Sequence, residues 1–265
     1  QPRVSLRYEA SDEVTLYATY GEGFRSGGFN PLGSRFRIQN VDFQPGTTVQ
    51  DNFLEETSRS FEIGGHFNGA DGRLRVNAAA FSSSVENAQF FQFFPFSLSR
   101  VISTVQNNQV VGMEFDFNFR VTDDLSVFGG AGTIDSRIMR NDELPGSVGN
   151  TFPFTPEHTA FLGAQYRHHA WNGVEFVARA EWNETGEMWF DTRNTPGTQR
   201  PVVDLVNARL GLEGERWSMT VFSRNLLDED YNTDAVPLNV APGVDFNFVT
   251  KGQPRTVGVE VGMRF

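Results

Sequence analysis

Apolar and polar residues alternate with a period of two through most of the chain. The pattern is clearest over residues 111–120, where small or polar residues alternate with Val111, Met113, Phe115, Phe117 and Phe119. Because successive side chains of a strand point to opposite faces, this pattern predicts strands with one apolar and one polar face. Helical periodicity does not occur over a comparable length, so the predicted fold class is all-β.

The pattern divides the chain into about eleven candidate strands, at residues 3–10, 13–20, 57–68, 72–86, 104–121, 125–137, 158–168, 172–185, 202–213, 215–224 and 254–265. Tight turns such as Ser11-Asp12-Glu13 alternate with long connections near 21–56, 87–103, 138–157, 186–201 and 225–253. Barrels of the bacterial outer membrane show this parity, with short turns on one side and long loops on the other. The sequence therefore predicts an antiparallel transmembrane β-barrel.

The composition agrees with a barrel that has a wet interior. Only 38% of the residues are apolar, although 26 residues are Phe. In such a barrel polar residues line the lumen, and aromatic residues form girdles at the two membrane interfaces. We expect the girdles to include Tyr8, Tyr17, Tyr20, Tyr166, Trp182 and Trp217.

Charge and cysteine content exclude several other classes of protein. The net charge of -11, without any basic cluster, argues against a nucleic-acid partner, which requires an excess of Lys and Arg. The absence of Cys excludes disulfides, thiolate metal sites and thiol catalysis. No run approaches the roughly 20 apolar residues that a membrane-spanning helix needs.

Three short motifs occur on this strand pattern. The first long connection begins with Tyr20-Gly21-Glu22-Gly23-Phe24-Arg25-Ser26-Gly27-Gly28-Phe29-Asn30, and the last begins with Asn225-Leu226-Leu227-Asp228-Glu229-Asp230-Tyr231. The chain stops on Phe265, after Pro254-Arg255-Thr256 and a final alternating segment. In order and spacing these motifs resemble those of the TonB-dependent outer-membrane receptor family.

The resemblance implies an architecture larger than this chain. Members of that family have a 22-stranded barrel filled by a plug domain, which follows a coupling segment. Residues 1–265 are then expected to form the C-terminal part of the barrel, about eleven strands, with neither plug nor coupling segment. Because single-chain bacterial barrels have an even number of strands, an eleven-stranded chain is expected to be a fragment that does not close alone.

The resemblance also implies a function and a set of partners. It implies energy-coupled import of an iron–siderophore, or a similar large and scarce solute, across the outer membrane of a Gram-negative bacterium. The implied partners are outer-membrane lipid, a TonB-type inner-membrane energy-coupling complex, and the barrel-assembly machinery, which reads the terminal aromatic Phe265. A passive porin-like barrel and a soluble all-β ligand-binding module are the alternatives.

Candidate ligand-binding residues lie in the predicted extracellular loops. The run that contains Phe90, Phe91, Phe93 and Phe94 offers rings for stacking on a flat or aromatic ligand. Alternatively, these rings pack the loop against its neighbours or belong to the outer girdle. Arg25 and Phe29 lie in the glycine-rich stretch, where Arg25 either pairs with an anionic ligand or packs the loop.

Neither a metal site nor catalysis is predicted. The spacing of the four His residues, at positions 66, 158, 168 and 169, does not match a known metal-binding pattern. Asp228, Glu229, Asp230 and Asp234 supply oxygen ligands for a divalent cation or, alternatively, form a solvated acidic turn. No nucleophile elbow, zinc-binding helix or nucleotide-binding loop is present, so we expect a protein that is not an enzyme and has no cofactor.

Overall fold

The computed structural model describes residues 1–41, 49–94, 96–171, 173–238, 244 and 246–264. In chain order its elements are β1 Arg3–Glu9, β2 Val14–Arg25, β3 Gly28–Phe29, α1 Ser34–Val41, β4 Asn52–Phe53, β5 Glu56–Gly69, β6 Leu74–Phe94, β7 Ser99–Arg120, β8 Leu125–Arg140, a 3-10 turn Pro145–Ser147, β9 His158–Trp171, β10 Val174–Thr185, β11 Val203–Glu213, β12 Trp217–Arg224, β13 Asn232–Val236, β14 Phe248–Lys251 and β15 Thr256–Met263. The large antiparallel sheet and the all-β class are thereby confirmed.

Eleven strands form one sheet in the order β1-β2-β5-β6-β7-β8-β9-β10-β11-β12-β15. Each strand pairs antiparallel with its neighbours, as the eleven segments predicted from alternation require. The outer strands β1 and β15 do not pair with each other among the described residues. The sheet is therefore open in this chain, and its two edges can pair with further strands.

One face of the sheet is an exposed apolar surface. On β7 it is formed by Val111, Met113 and Phe115, of which Met113 is 63% exposed, and on β15 by alternate residues from Val257 to Met263. An apolar surface that extends across several strands is unfavourable in water but suits the hydrocarbon of a bilayer. This face corresponds to the predicted lipid-facing side.

The opposite face carries a network of polar side chains. The Nδ1 atom of His66 lies 2.7 Å from Oδ1 of Asn77, and Nδ2 of Asn77 donates to Asp116 at 2.8 Å. Tyr17 stacks on His66 with ring centroids 5.2 Å apart. The prediction of a girdle position for Tyr17 was therefore wrong, because Gly64 leaves space beside it for the phenol to lie against the lumenal face.

Tight turns join the strands at one end of the sheet. In two of them a hydroxyl accepts main-chain N–H groups: Ser11 Oγ from Val14 at 3.1 Å and Thr122 Oγ1 from Leu125 at 3.0 Å. Between β5 and β6 the chain turns through Ala70, Asp71 and Gly72, which all have positive φ. The predicted short turns are confirmed.

The other end carries the long connections, which begin later than predicted in two places. Residues 21–25, predicted as the start of the first connection, extend β2 to Arg25. Residues 87–103 were predicted as a loop, but most of them extend β6 and β7 as paired strands, with Phe90 opposite Ser103 and Phe94 opposite Ser99. Both faces of this extension are partly covered, so its sequence lacks the polar alternation that marks the rest of the sheet. The remaining connections contain α1, the 3-10 turn and the two-stranded sheets β3–β4 and β13–β14.

The buried apolar core lies mainly at this end. Ile38, Val49, Phe94 and Val101 form one cluster. Two more consist of Ala88, Val105 and Ile138, and of Met188, Phe190 and Ala235. The long connections are thus packed on one another and on the extended β6–β7 hairpin. Within the described parts of the chain, no helix has the length and apolar character needed to span a membrane.

The two faces of β7 give a direct test of the membrane-facing assignment. In the full-length protein, we expect Met113→Lys to destabilise the barrel by about 2–4 kcal/mol, because it places a cation on the lipid face. The neighbouring control Glu114→Lys points to the opposite face and should change the free energy of unfolding by less than about 1 kcal/mol. Denaturant unfolding in lipid vesicles measures both, and equal losses would contradict the assignment.

Candidate functional site

A cavity of about 290 Å³ lies among the long connections. Its wall combines four segments that are far apart in sequence. We call it the phenylalanine cavity; its lining residues include Phe90, Phe91, Gln92, Phe93, Phe94, Phe154, Phe190, Asp191, Thr192, Arg193 and Asp234. Four of the residues predicted to bind ligand from sequence, Phe90, Phe91, Phe93 and Phe94, meet in this wall.

The extended β6–β7 hairpin provides the rigid side of the cavity. Phe90 and Phe94 are buried, whereas Phe91 is 55% exposed. Phe94 also belongs to the cluster with Ile38, Val49 and Val101, so this wall is supported from behind. The guanidinium of Arg100, on the partner strand, lies 5.8 Å from the ring centroids of both Phe91 and Phe93, a cation–π distance.

Two further rings complete the wall, and sequence reasoning missed both. Phe154 lies between Phe90 and Phe190, with centroids 6.3 and 5.4 Å away, the second in an edge-to-face arrangement. Its backbone has φ of 58°, a conformation that bulky residues rarely adopt. Both rings come from long connections, and their proximity to β6 is not encoded in any local pattern.

A turn centred on Asp191 holds Phe190 and its neighbours in place. One carboxylate oxygen accepts from the Arg193 N–H at 2.8 Å and the Thr195 hydroxyl at 3.0 Å. The other accepts from the Thr198 hydroxyl at 3.1 Å. The sequence Asp191-Thr-Arg-Asn-Thr-Pro-Gly signals such a turn. Burial lowers the pKa of the Arg193 guanidinium, while Asp191 opposes that shift.

The connection that carries Phe154 is joined to this turn by a reciprocal amide pair. Oδ1 of Asn194 accepts from the Thr151 N–H at 2.9 Å, and Nδ2 donates to the Thr151 carbonyl at 3.0 Å. Asn150 adds a hydrogen bond of 3.0 Å to the Thr192 carbonyl. The two connections therefore form one unit, which fixes the distance between Phe154 and Phe190.

Arg25 and Phe29 do not line the phenylalanine cavity. Arg25 donates to Glu56 at 2.6 Å and to the Gln89 carbonyl at 2.9 Å, while the Gln89 N–H donates to the same Glu56 oxygen at 2.7 Å. This polar clamp of Arg25, Glu56 and Gln89 ties β2 to β6, which is the packing role weighed above. Phe29 is 86% exposed on β3, and Phe265 lies outside the described residues.

Asn30, the last residue of the first motif, has a similar structural role. Its side chain donates to the Gln50 and Ile102 carbonyls at 2.9 and 3.0 Å and accepts from the Ile102 N–H at 2.8 Å. It thus docks the first long connection on β7. The first motif pointed to Asn30 as a residue of interest, but it did not predict the contact between Asn30 and Ile102.

The His and acidic residues are dispersed. His158 contacts Glu184 at 3.0 Å and His168 contacts Asp124 at 2.6 Å, at opposite ends of β9. In the last connection Lys251 pairs with Asp230 at 2.8 Å, and Asp228 accepts from the Arg255 N–H at 2.8 Å. Over the described parts of the chain, no three His, Asp or Glu side chains are grouped to hold a metal ion.

A buried carboxyl group lies in the connection after β8. Glu143 accepts from the Thr104 N–H at 3.3 Å and lines a second cavity of about 250 Å³. Burial raises the pKa of this carboxyl to about 7, against smaller opposing effects of the hydrogen bonds from Thr104 and Ser103. Asn141 caps the turn that holds it by accepting from the Glu143 and Leu144 N–H groups.

Docking of this connection should depend on pH through Glu143. In the folded protein the pKa of Glu143 is about 7, above the ordinary value of 4.5. Protonated Glu143 therefore stabilises the docked connection fully below pH 4.5, and this stabilisation is lost as the pH rises through 7. Hydrogen exchange of residues 141–150, corrected for chemical rate, should quicken about tenfold or more from pH 5 to 8. Glu143→Gln should remove most of this pH dependence of exchange, whereas Glu157→Gln, a control at an exposed carboxyl, should retain it. If Glu143→Gln kept the wild-type pH dependence, Glu143 would not be the titrating group.

The chain is similar in sequence or in fold to several known receptors. The chain is 25% identical over 254 residues to the metal-pseudopaline receptor CntO of Pseudomonas aeruginosa, covering 91% of this chain and 31% of that protein. The ferric yersiniabactin uptake receptor FyuA of Yersinia pestis is similar with a TM-score of 0.78 at 20% identity, over 99% of this chain and 37% of that one. The ferric preacinetobactin receptor BauA of Acinetobacter baumannii gives 0.70 at 18% identity, over 99% and 36%.

These structural likenesses show the fold. The chain spans about a third of the length of the curated relatives it matches. A family model decides the family. The model for the TonB dependent receptor-like β-barrel matches residues 1–226 of this chain. Together with the eleven-stranded open sheet and its apolar face, this match confirms the resemblance seen in the motifs. The chain belongs to the TonB-dependent receptor β-barrel family, which lies in the outer membrane of Gram-negative bacteria.

Proposed function

We propose that the complete protein imports a metal chelate, in the first place an iron–siderophore, across the outer membrane with energy from a TonB-type inner-membrane complex. The observation that carries this proposal is the phenylalanine cavity, an aromatic-lined cavity at the long-connection end of a membrane-facing sheet. The relatives CntO, FyuA and BauA are receptors for pseudopaline-bound metal, ferric yersiniabactin and ferric preacinetobactin. They support a chelate as the solute.

The form of the loops favours a receptor over a passive channel. The connections are held in one arrangement by three apolar clusters, by the polar clamp and by the Asn194–Thr151 pair. A preformed site of this kind increases affinity because little conformational freedom is lost on binding. Such a site suits a receptor that holds its solute, whereas passive diffusion depends on an open path. Capture and import require no covalent chemistry, so we propose no enzymatic activity.

Each proposed partner has a place in this scheme. Outer-membrane lipid covers the apolar face of the sheet, and the edges β1 and β15 pair with the remaining strands of the barrel. We propose that the coupling complex acts on the complete receptor, in which these residues belong to the barrel. We also propose Phe265, the aromatic residue that follows the last strand, as a signal for the barrel-assembly machinery.

Iron-uptake measurements test the proposal. A deletion strain that carries the full receptor gene on a plasmid should accumulate radiolabelled iron from at least one chelate, and a protonophore should abolish this accumulation. A matched strain without TonB should show the same loss. Uptake that persists without TonB would support the porin-like alternative, and absence of uptake from every iron or other metal chelate tried would overturn the proposal.

A further inference from the structure

The phenylalanine cavity is small compared with a whole metal chelate. Its volume of about 290 Å³ is equivalent to roughly ten water molecules at about 30 Å³ each. This value is at the lower end of the range for ligand pockets, about 300–1,000 Å³. The cavity therefore has room for an aromatic ring with its substituents, whereas a whole metal chelate would extend beyond it.

The chemistry of the wall selects the kind of group that enters. Six Phe residues contribute to the lining: Phe90, Phe91, Phe93, Phe94, Phe154 and Phe190. Phe90, Phe94 and Phe190 are buried behind it, whereas Phe91 and Phe154 are about half exposed. Aromatic rings at such walls favour another ring, in edge-to-face or offset contact. A charged hydroxycarboxylate or a hydrated hydroxamate gives up more water against these rings than an aryl group does. The wall therefore favours an aryl group over an aliphatic chelating arm.

The polar atoms of the cavity are few and held in fixed positions. The Gln92 side chain accepts from the Ser103 hydroxyl at 2.7 Å and lies 3.4 Å from Thr192 Oγ1, which links β6 to the Asp191 turn. Charges of both signs are present, with Arg193 and Asp191 on one segment and Asp234 on another. Such a wall can orient the oxygen substituents of a ring without requiring a net charge on the ligand.

The backbone at Phe154 is an independent indication of function. A phenylalanine with positive φ is unfavourable, and such conformations concentrate at ligand-binding sites, where the surroundings enforce them. The Phe154 N–H donates to the Trp189 carbonyl at 2.8 Å, which helps to hold this conformation. Although its ring touches two others, it is still 48% exposed, so it offers an accessible face beside the cavity.

We propose that the phenylalanine cavity receives a single oxygen-substituted aromatic ring of the imported chelate, so that the substrate class is an aryl-bearing chelator such as a phenolate or catecholate. This inference rests on the proposed import function and specifies its substrate. The metal and its remaining ligands lie outside the cavity. Specificity among chelates then depends on one aryl group rather than on the chelate as a whole.

Binding to the purified full receptor tests the proposal. The probes are the iron(III) complex of 2,3-dihydroxybenzoate, ferric citrate and the hydroxamate complex ferrioxamine B, with affinities measured by calorimetry. We expect the aryl complex to bind at least about tenfold more tightly than either aliphatic complex. Phe154→Ala should weaken the aryl complex about tenfold, because it removes a ring contact.

Two further variants separate ring chemistry from folding. Phe154→Tyr keeps a ring and should retain wild-type affinity for the aryl complex, whereas Phe154→Leu keeps bulk without a ring and should bind as weakly as Phe154→Ala. Phe36→Ala is the control, because Phe36 is exposed on α1 and does not line the cavity. Heat-modifiability on gels verifies that each variant is a folded barrel before binding is measured.

The outcomes distinguish this inference from the proposed function. Equal or tighter binding of ferric citrate or ferrioxamine B, or wild-type affinity of Phe154→Leu, would overturn the aryl assignment. Protonophore-sensitive uptake of those aliphatic complexes in the same experiment would leave the import function standing. Absence of energy-dependent uptake for all chelates would remove the proposed function itself, whatever the binding results.

Discussion

Inside a bilayer no water is available to main-chain N–H and C=O groups, so each of them must find its partner within the protein. The continuous antiparallel ladder from β1 to β15 meets this requirement for every interior strand. Once the ladder is fixed, side chains alternate between lipid and lumen, and the apolar stripe of β7 and the His66–Asn77–Asp116 chain follow. The two edge strands remain the places where the ladder must continue.

At the long-connection end, the same ladder of main-chain hydrogen bonds also supports the connections. The strands β6 and β7 continue to Phe94 and Ser99, so the aromatic run stands on a paired hairpin instead of a free loop. The polar clamp of Arg25, Glu56 and Gln89 and the cluster around Phe94 then anchor the first long connection on this hairpin. A stiff strand extension thereby becomes the scaffold on which the other connections assemble.

The sequence was sufficient for the sheet because strand alternation is a local signal. All eleven strands and their tight turns follow from it, as does the apolar face. The extension of β6 and β7 escaped the same reasoning because Phe90, Phe91, Phe93 and Phe94 fill both faces and leave no period of two. The run itself was recognised as a candidate site, but the contacts of Phe154, Phe190 and Arg25 depend on segments far apart in the chain.

This difference has a physical origin in the two environments. Lipid imposes the same requirement on every strand, so each strand repeats one pattern that can be read without a structure. The connections meet no such uniform solvent, and each is held by particular partners, such as Asn194 with Thr151 or Asn30 with Ile102. Residues on these connections are therefore not held to the pattern that lipid imposes on the ladder beneath them. Their arrangement follows from contacts between segments far apart in the chain, so it has to be described from the packed connections themselves.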